Sequence, residues 1–270
     1  VQTANSIDCS SEPYVSISLE TRYRCWDNGA SDDSEKCLIE ISRDGVNWPD
    51  ISTFSEAEGT VDYGDGVLVP SRWEVFEGYG TGDQSDNPTI AEFDITDAAG
   101  GQATVWVRFR WAGTWGYSWE IDDIQMYATP ANDTRIDNYV SYTNSFQTGV
   151  YEYGSWAQSQ IPSDLEAGAK VYNAGYENQT GVNLMLDVNG TMSMSGSINL
   201  DYQTSDTLAA AYQPSGLGMV TIDYELVADA TDENPSNNIA SQSFEVTQFS
   251  WGRDDGFITG GYPVDATDPL

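Results

Sequence analysis

The chain has 270 residues, of which 10 are basic and 43 acidic, and its formal net charge is −33. Such a charge repels a polyanion at every approach, which excludes nucleic acid as the natural partner. Histidine is absent, so catalytic arrangements with an imidazole base and zinc sites with imidazole ligands are excluded as well. The 9 Trp, 16 Tyr and 8 Phe are too many for a disordered acidic tail, and we expect the chain to fold.

No segment of the sequence is suited to crossing a membrane. A run of about 18 apolar residues would be needed, and none occurs, so we expect no membrane insertion. The first residues lack the positive and apolar stretches of a signal peptide. Because so large an acid excess destabilises a compact chain unless cations screen it, we expect an extracellular or cell-surface location.

Alternating apolar and polar residues predict strands in the first half of the chain. Between Tyr14 and Trp26, apolar side chains take nearly every second position, with Ser, Glu and Arg between them. The pattern returns at residues 37–41 and is followed by an Asp-Gly turn within residues 42–48. We therefore expect half-buried strands here. A weak helical turn is predicted at residues 96–100.

Thr104 to Trp111 alternates in the same way. One face carries Val105, Val107, Phe109 and Trp111, and the opposite face carries Trp106, Arg108 and Arg110. This segment is predicted to be a further strand of the same domain.

The second half reads as short strands about ten residues apart, joined by Asn-Gly, Ser-Gly and Asn-rich turns, which is typical of an immunoglobulin-like sandwich. The run Thr207–Tyr212 is the one helical candidate there. Because the composition changes near Ala128–Arg135, we predict a first β-sandwich at residues 1–130 and a linker at 131–148. An immunoglobulin-like sandwich at 149–250 and a second linker, or the start of another module, at 251–270 complete the prediction.

The segment Arg108–Met126 resembles the closing strands of jelly-roll domains in MAM-type, choice-of-anchor and cleaved-adhesin modules of secreted bacterial proteins. Those strands follow the pattern W-x-[IV]-D-D-[IV], which Trp119 to Ile124 match. Residues 41–48, ISRDGVNW, resemble the inner hairpin of the same modules. The usual opening strand is not recognisable before Ser6, and we expect both ends to be parts of a longer polypeptide.

The second half resembles the immunoglobulin-like, CARDB-like connector domains that follow such jelly rolls in surface proteins of Bacteroidetes-type organisms, often exported by type IX secretion. The resemblance implies an all-β fold, a jelly-roll β-sandwich followed by an immunoglobulin-like β-sandwich. It also implies a non-catalytic structural or adhesive role in a larger secreted cell-surface protein, such as an adhesin or an extracellular filament. The expected partners are neighbouring modules of the same or identical chains, glycans, or a host or prey cell surface.

Calcium is the expected cofactor, and two groups of acids are its candidate ligands. The first group is an acidic loop with the clustered oxygen ligands that a hard cation needs. Its candidates are Asp27, Asp32 and Asp33, beside Asn28 and Glu35. The alternative is a solvated charged loop without a metal.

The second group is Asp122 and Asp123, adjacent acids in a predicted core strand. One of them must point inward or lie in a bulge, and a buried carboxylate needs a partner. The resemblance implies calcium near this strand, and hydrogen bonds to loop amides are the alternative.

The three cysteines lie early in the chain, at Cys9, Cys25 and Cys37. If the strands that carry Cys25 and Cys37 pair as a hairpin, the two sulfurs can form a disulfide. Buried free thiols, or a disulfide from Cys9 to one of the others, remain as alternatives.

Arg108 and Arg110, with Trp106 beside them, form a candidate binding surface for an acidic sugar or for the carboxylates of a neighbouring module. Arg22 and Arg24 join this patch if their strands are neighbours. The alternative is cross-strand pairing of these arginines with Glu20, Glu40 and Glu120.

Trp115, at a turn between two glycines, is the candidate for sugar contact, whereas Trp111 and Trp119 are expected in the core. The rival function is a carbohydrate-binding accessory module of a secreted hydrolase. The sequence shows no phosphate-binding loop and no nucleophile with a recognisable general base, so we predict that the chain is not an enzyme.

Overall fold

The structure is a computed structural model that describes residues 1–25, 35–53, 59–80, 82–113, 117–149 and 152–249. The chain divides into two compact units, Val1–Thr129 and Pro130–Leu270. The described part of the chain has no helix that is long and apolar enough to span a membrane.

Eight strands and one α-helical turn occur among the described residues of the first unit. They are β1 (Val15–Arg24), β2 (Lys36–Ser42), β3 (Thr60–Asp62), β4 (Leu68–Pro70), β5 (Arg72–Glu74), β6 (Thr89–Asp94), α1 (Thr96–Ala99), β7 (Trp106–Ala112) and β8 (Ser118–Ala128). A 3-10 turn spans Ile51–Thr53. The predicted strands and the predicted turn after residue 95 are therefore present.

Two antiparallel three-stranded sheets make up most of this unit, in the orders β6-β1-β8 and β5-β2-β7, with β3 and β4 as a separate pair. Side chains from both sheets form one apolar cluster that includes Ile17, Leu19, Ile39 and Val107. The N-terminal residues extend the second sheet, because Gln2 and Ile7 pair with residues of the β7 segment.

In the described part of the second unit there are nine strands and one α-helical turn. They are β9 (Thr134–Ser141), α2 (Ser145–Thr148), β10 (Ser155–Ala157), β11 (Glu166–Asn173), β12 (Gln179–Val188), β13 (Thr191–Met194), β14 (Ile198–Leu200), β15 (Ser205–Ala211), β16 (Gly218–Val227) and β17 (Ile239–Thr247). Two 3-10 turns span Gln158–Gln160 and Pro235–Asn237.

The strand order of the second unit is immunoglobulin-like. One sheet runs β15-β11-β9 and the other β10-β17-β16-β12-β13, with β14 paired to β12. When the three-residue strands β10 and β14 are left out, the first, second and fifth strands in chain order thus face the third, sixth and seventh, as in an immunoglobulin sandwich. The core between the sheets includes Leu184, Ile222 and Phe244.

The all-β class is confirmed, and two details of the prediction are corrected. Residues 131–148 are not a linker, because β9 pairs with β11 and belongs to the second sandwich. Thr207–Tyr212 is not helical: β15 lies there, and its Ala209 and Ala210 lie opposite Gly168 and Ala167 of β11. Pairing between small side chains overrides the helix propensity of the alanine run. Residues 251–270 lie outside the described residues.

Candidate functional sites

β2 is buried along its whole length, although its sequence alternates. Cys37, Ile39 and Ile41 face the core of the sandwich, whereas Lys36, Leu38, Glu40 and Ser42 lie on the opposite, outer face and are buried as well. The outer face of the sheet β5-β2-β7 is therefore covered rather than solvated, and its centre is the carboxylate of Glu40, which is 0% exposed.

Three arginines surround that carboxylate. Arg72 donates from Nε and Nη2 to Glu40 Oε1, at 3.1 and 2.9 Å. Arg108 and Arg110 each donate from Nε to Oε2, at 2.8 and 3.0 Å. The strand register brings these side chains together, because Glu40 lies opposite Arg72 of β5 on one side and opposite Arg108 of β7 on the other. We call these four residues the Glu40 cluster.

The ring of Trp48 and a loop cover the Glu40 cluster from outside. The guanidinium of Arg108 lies 4.1 Å from the ring centre of Trp48, a cation–π contact. Arg72 also donates to the carbonyl of Asp50 at 2.9 Å, which ties the loop after the Asp-Gly turn to the sheet. The side chains of Arg108 and Arg110 keep 18% and 19% exposure.

The predicted Asp-Gly turn holds Trp48 in place. Asp44 accepts hydrogen bonds from the backbone N–H groups of Val46 and Asn47, at 2.8 and 2.7 Å. Gly45 has a φ of +71°, and a Cβ there would come within 3.1 Å of the Trp106 ring. Trp106 thus packs on the turn instead of lying open to a ligand.

Electrostatics agree with a structural role for the Glu40 cluster. Burial lowers the pKa of Arg108 below its ordinary value, and the neighbouring charges of Arg110 and Arg72 add to this effect, whereas Glu40 opposes it. A further buried ion pair follows on the same face, where Lys36 Nζ lies 2.8 Å from Glu74 Oε1. Buried charges held this way need mutual compensation, and the sheet supplies it.

The four predicted patch arginines do not share a surface. β1, which carries Arg22 and Arg24, belongs to the other sheet of the unit. Arg22 lies opposite Glu120, and Arg24 lies 4.6 Å from the ring centre of Tyr117. Arg108 and Arg110 do not form a binding surface with them. They pair with Glu40 across the strands, which is the alternative that the sequence left open. Arg72 was missed because three-residue β5 has too little alternation to show its register.

Of the predicted aromatic contacts, Trp115 lies outside the described residues. Trp119 packs against the core, and its Nε1 donates to Thr21 Oγ1 at 2.9 Å. Trp111 is 43% exposed, so its predicted place in the core is wrong. It is the last residue but one of β7.

Asp122 and Asp123 form a β-bulge in β8. The register with β1 shifts there, Asp123 has a φ of +44°, and its N–H donates to Asp122 Oδ1 at 2.9 Å. Both side chains are exposed, and Asp122 borders a polar cleft of about 250 Å³ with Glu20 and Glu120.

Among the described residues, no three or more His, Cys, Asp or Glu side chains are grouped so that they could hold a metal ion. Asp27, Asp32 and Asp33 lie outside the described residues. The predicted calcium ligands there stay a prediction.

Cys9, Cys25 and Cys37 are buried thiols, and none of them is part of a disulfide in the described structure. The predicted disulfide assumed a hairpin, but β1 and β2 belong to different sheets. Cys25 Sγ instead donates to Glu35 Oε2 at 3.6 Å. Burial raises the pKa of the Cys37 thiol, which keeps it protonated and unreactive.

A second surface lies on the outer face of β12, β13, β16 and β17, and the sequence reasoning missed it. A groove of about 400 Å³ has Met185, Met192 and Ile239 as its apolar floor. Its acidic rim is Asp187, Asp223 and Glu225. We call these six residues the methionine groove. Met192 and Ile239 are 56% and 61% exposed.

Cross-strand register assembles the methionine groove. Met185 lies between Met194 and Glu225, and Glu225 lies opposite Ile239. In the next row Asp187 lies opposite Asp223. The signal was available in the sequence, because methionines at alternate positions of two neighbouring predicted strands fall on one face.

No protein-family model and no curated protein matches the sequence. Among solved structures, the chain is similar to the CARDB domain of PF1109 from Pyrococcus furiosus, at 16% identity. The solution structure of that domain matches with a TM-score of 0.35 over 44% of this chain and 99% of that chain. Its crystal structure in complex with di-metal ions matches with a TM-score of 0.33 over 43% and 93%.

The exo-chitosanase CsxA of Amycolatopsis orientalis is similar at 13% identity and a TM-score of 0.37, over 91% of this chain and 25% of that chain. The immunoglobulin-like assignment of the second unit rests on the strand order given above.

Proposed function

We propose that the chain is a pair of non-catalytic β-sandwich modules of a larger protein, which act in spacing and adhesion at a cell surface or outside the cell. The jelly-roll and connector resemblances, type IX export and stabilisation by calcium belong to the same proposal.

The Glu40 cluster is the observation that carries the proposal. A carboxylate that serves as a general acid or base must reach a substrate and exchange a proton. Glu40 is fully buried, and both of its oxygens accept hydrogen bonds from guanidinium groups. This cluster of charged side chains is therefore used to fix three strands and a covering loop, which suits a module that must stay rigid.

Adhesion is tested with beads that carry the purified chain. We expect retention on protein-coated surfaces, in buffers of physiological ionic strength, and no turnover of glycoside, ester or peptide substrates. Beads that carry the heat-unfolded chain have the same charge and are the control. Substrate turnover by the pure chain, or equal retention of folded and unfolded chain, would reject the proposal.

Carbohydrate binding is the second candidate function, because two exposed aromatic residues flank Trp115. Trp111 is 43% exposed and Tyr117 is 54% exposed, and exposed rings of this kind can stack on sugars. A glycan array separates the two functions. Binding that is lost in Trp111→Ala but kept in Trp106→Phe would favour this candidate over protein adhesion.

A further inference from the structure

We propose that the methionine groove is a docking site for a polypeptide segment of another protein that carries Lys or Arg next to apolar side chains. The inference rests on the proposed adhesive function and adds to it a surface and the chemistry of a partner.

The floor of the groove is apolar where an exposed sheet face is ordinarily polar. Four of the five methionines of the chain lie on β12, β13 and β16. Met192 and Met194 are 56% and 58% exposed, and Ile239 is 61% exposed. Contiguous exposed apolar side chains mark interaction sites, and flexible thioethers adapt to the shape of a partner.

The acidic rim of the groove favours a partner with positively charged side chains. Asp187 and Asp223 lie directly opposite each other on neighbouring strands, an arrangement that is destabilising for like charges. Asp187 accepts from the Gly190 N–H and Asp223 from Ser241 Oγ, and neither donor is a cation. The ion pairs among the described residues do not include either acid. A Lys or Arg of a partner would relieve this repulsion.

The size and the overall charge argue for a segment of a different protein. A volume of about 400 Å³ admits side chains rather than a lone ion, since ligand sites begin at about 300 Å³. A second copy of this chain would bring a net charge of −33 to a rim that is already acidic. Of the 10 basic residues, the second unit has Arg135, Lys170 and Arg253 alone.

The probe is a labelled synthetic peptide of alternating Lys and Leu, and fluorescence anisotropy measures its dissociation constant with the whole chain. The groove variant is Glu225→Gln with Ile239→Ser, a cross-strand pair on the sheet face. The matched control is Glu245→Gln with Met219→Ser, another cross-strand pair on the same face but outside the groove. Met219 and Ile239 are 62% and 61% exposed, so both variants lose equal charge and similar exposed apolar surface.

We expect the groove variant to weaken binding at least about tenfold and the control variant to stay within about twofold of the original chain. A peptide with Ser in place of Leu keeps its charge and should bind at least about tenfold more weakly. Equal effects of the two variants, equal affinity for the two peptides, or no binding would overturn the proposal. Melting curves check that each variant folds, and Met192→Ser replaces the groove variant if it does not.

A dimer that the groove variant abolishes would identify a second copy as the occupant and would also overturn the proposal. Beads that carry the groove variant separate a failure of the docking proposal from a failure of the proposed adhesive function. If they are retained on protein surfaces while the original chain fails to bind the peptide, docking is rejected and the adhesive function stands. If the original chain is not retained on any protein surface, the adhesive function itself fails.

Discussion

The two sandwiches use the outer face of a sheet in opposite ways. In the first unit, the outer face of β2 is buried under a loop and holds Glu40 among three arginines. In the second unit, β16 alternates between buried and exposed side chains, and its outer face contributes to the methionine groove. Alternation in the sequence thus identifies which face of a strand is turned toward the core. Whether the opposite face is buried or exposed depends on the loops that cover it.

Buried charges and an apolar core are destabilised by different kinds of substitution. Burial of charge requires compensation for lost hydration, and removal of one partner leaves the others uncompensated. An apolar core contains no charge that could be left uncompensated, but each deleted methylene leaves a cavity that lowers stability. The first unit should therefore respond most strongly to a change of charge and the second to a change of volume.

Glu40→Gln should give the largest loss. Three guanidinium groups would face a neutral amide, and we expect the free energy of unfolding of the first unit to fall by about 3–5 kcal/mol. Seven of the nine Trp lie at or before Trp119, so tryptophan fluorescence during urea unfolding follows this unit. Glu20→Gln, on the partly exposed face of β1, is the control and should cost less than about 1 kcal/mol. Similar losses for both variants would contradict a central role for Glu40.

Leu184→Ala should give the next largest loss. Leu184 is 0% exposed in the core of the second unit, and its truncation should cost about 2–5 kcal/mol. Circular dichroism during urea unfolding measures the change. Met219→Ala, at an exposed position of the same sandwich, should stay within about 0.5 kcal/mol. A loss above that of Glu40→Gln would reverse the ranking of the two units.

Alkaline pH should destabilise the second unit through its buried tyrosines. Burial raises the pKa of Tyr142 to about 12, and it also raises the pKa values of Tyr212 and Tyr224 above the ordinary value. The folded state favours the protonated phenols, so their contribution is complete below about pH 10 and is lost as the pH rises toward 12. Tyrosinate absorbance and circular dichroism, recorded together, should change in this window.

Tyr142→Phe removes one of these titrating groups and should make the alkaline loss of stability shallower. An identical pH profile for this variant would contradict the assignment to buried phenols.

Calcium should have the smallest effect. If the acids of the first unit hold calcium, its addition should raise the melting temperature by about 2–4 °C for each kcal/mol of binding energy, and a chelator should reverse the rise. Asp122→Asn with Asp123→Asn tests the bulge, because a rise that survives both changes comes from other acids. A melting temperature that changes with neither calcium nor chelator would remove calcium from the proposed function.

The sequence predicted the strands and the class of the fold because both follow from local alternation. The long strands β1, β12 and β16 show this alternation over ten residues each. The immunoglobulin-like order followed from strand spacing and resemblance, and the register of the second unit confirms it.

What depends on contacts between distant segments was harder to predict. The meeting of Arg72 with Glu40 requires β5 to pair with β2 across 32 positions of sequence. The hairpin assumed for the disulfide prediction was wrong for the same reason, because β1 and β2 are close in sequence but belong to different sheets. The methionine groove was missed since exposed apolar residues look, in sequence, like residues of a core.

One consequence of the second sandwich concerns mechanical load. β10 runs parallel to β17, with Ser155 opposite Glu245 and Ala157 opposite Thr247. A pull that reaches the start of β10 and the end of β17 in opposite directions slides the two strands along each other. Their hydrogen bonds must then break together, whereas a peeled hairpin opens one bond at a time. A pull in these directions thus loads the pairing of β10 with β17 in shear and not by peeling.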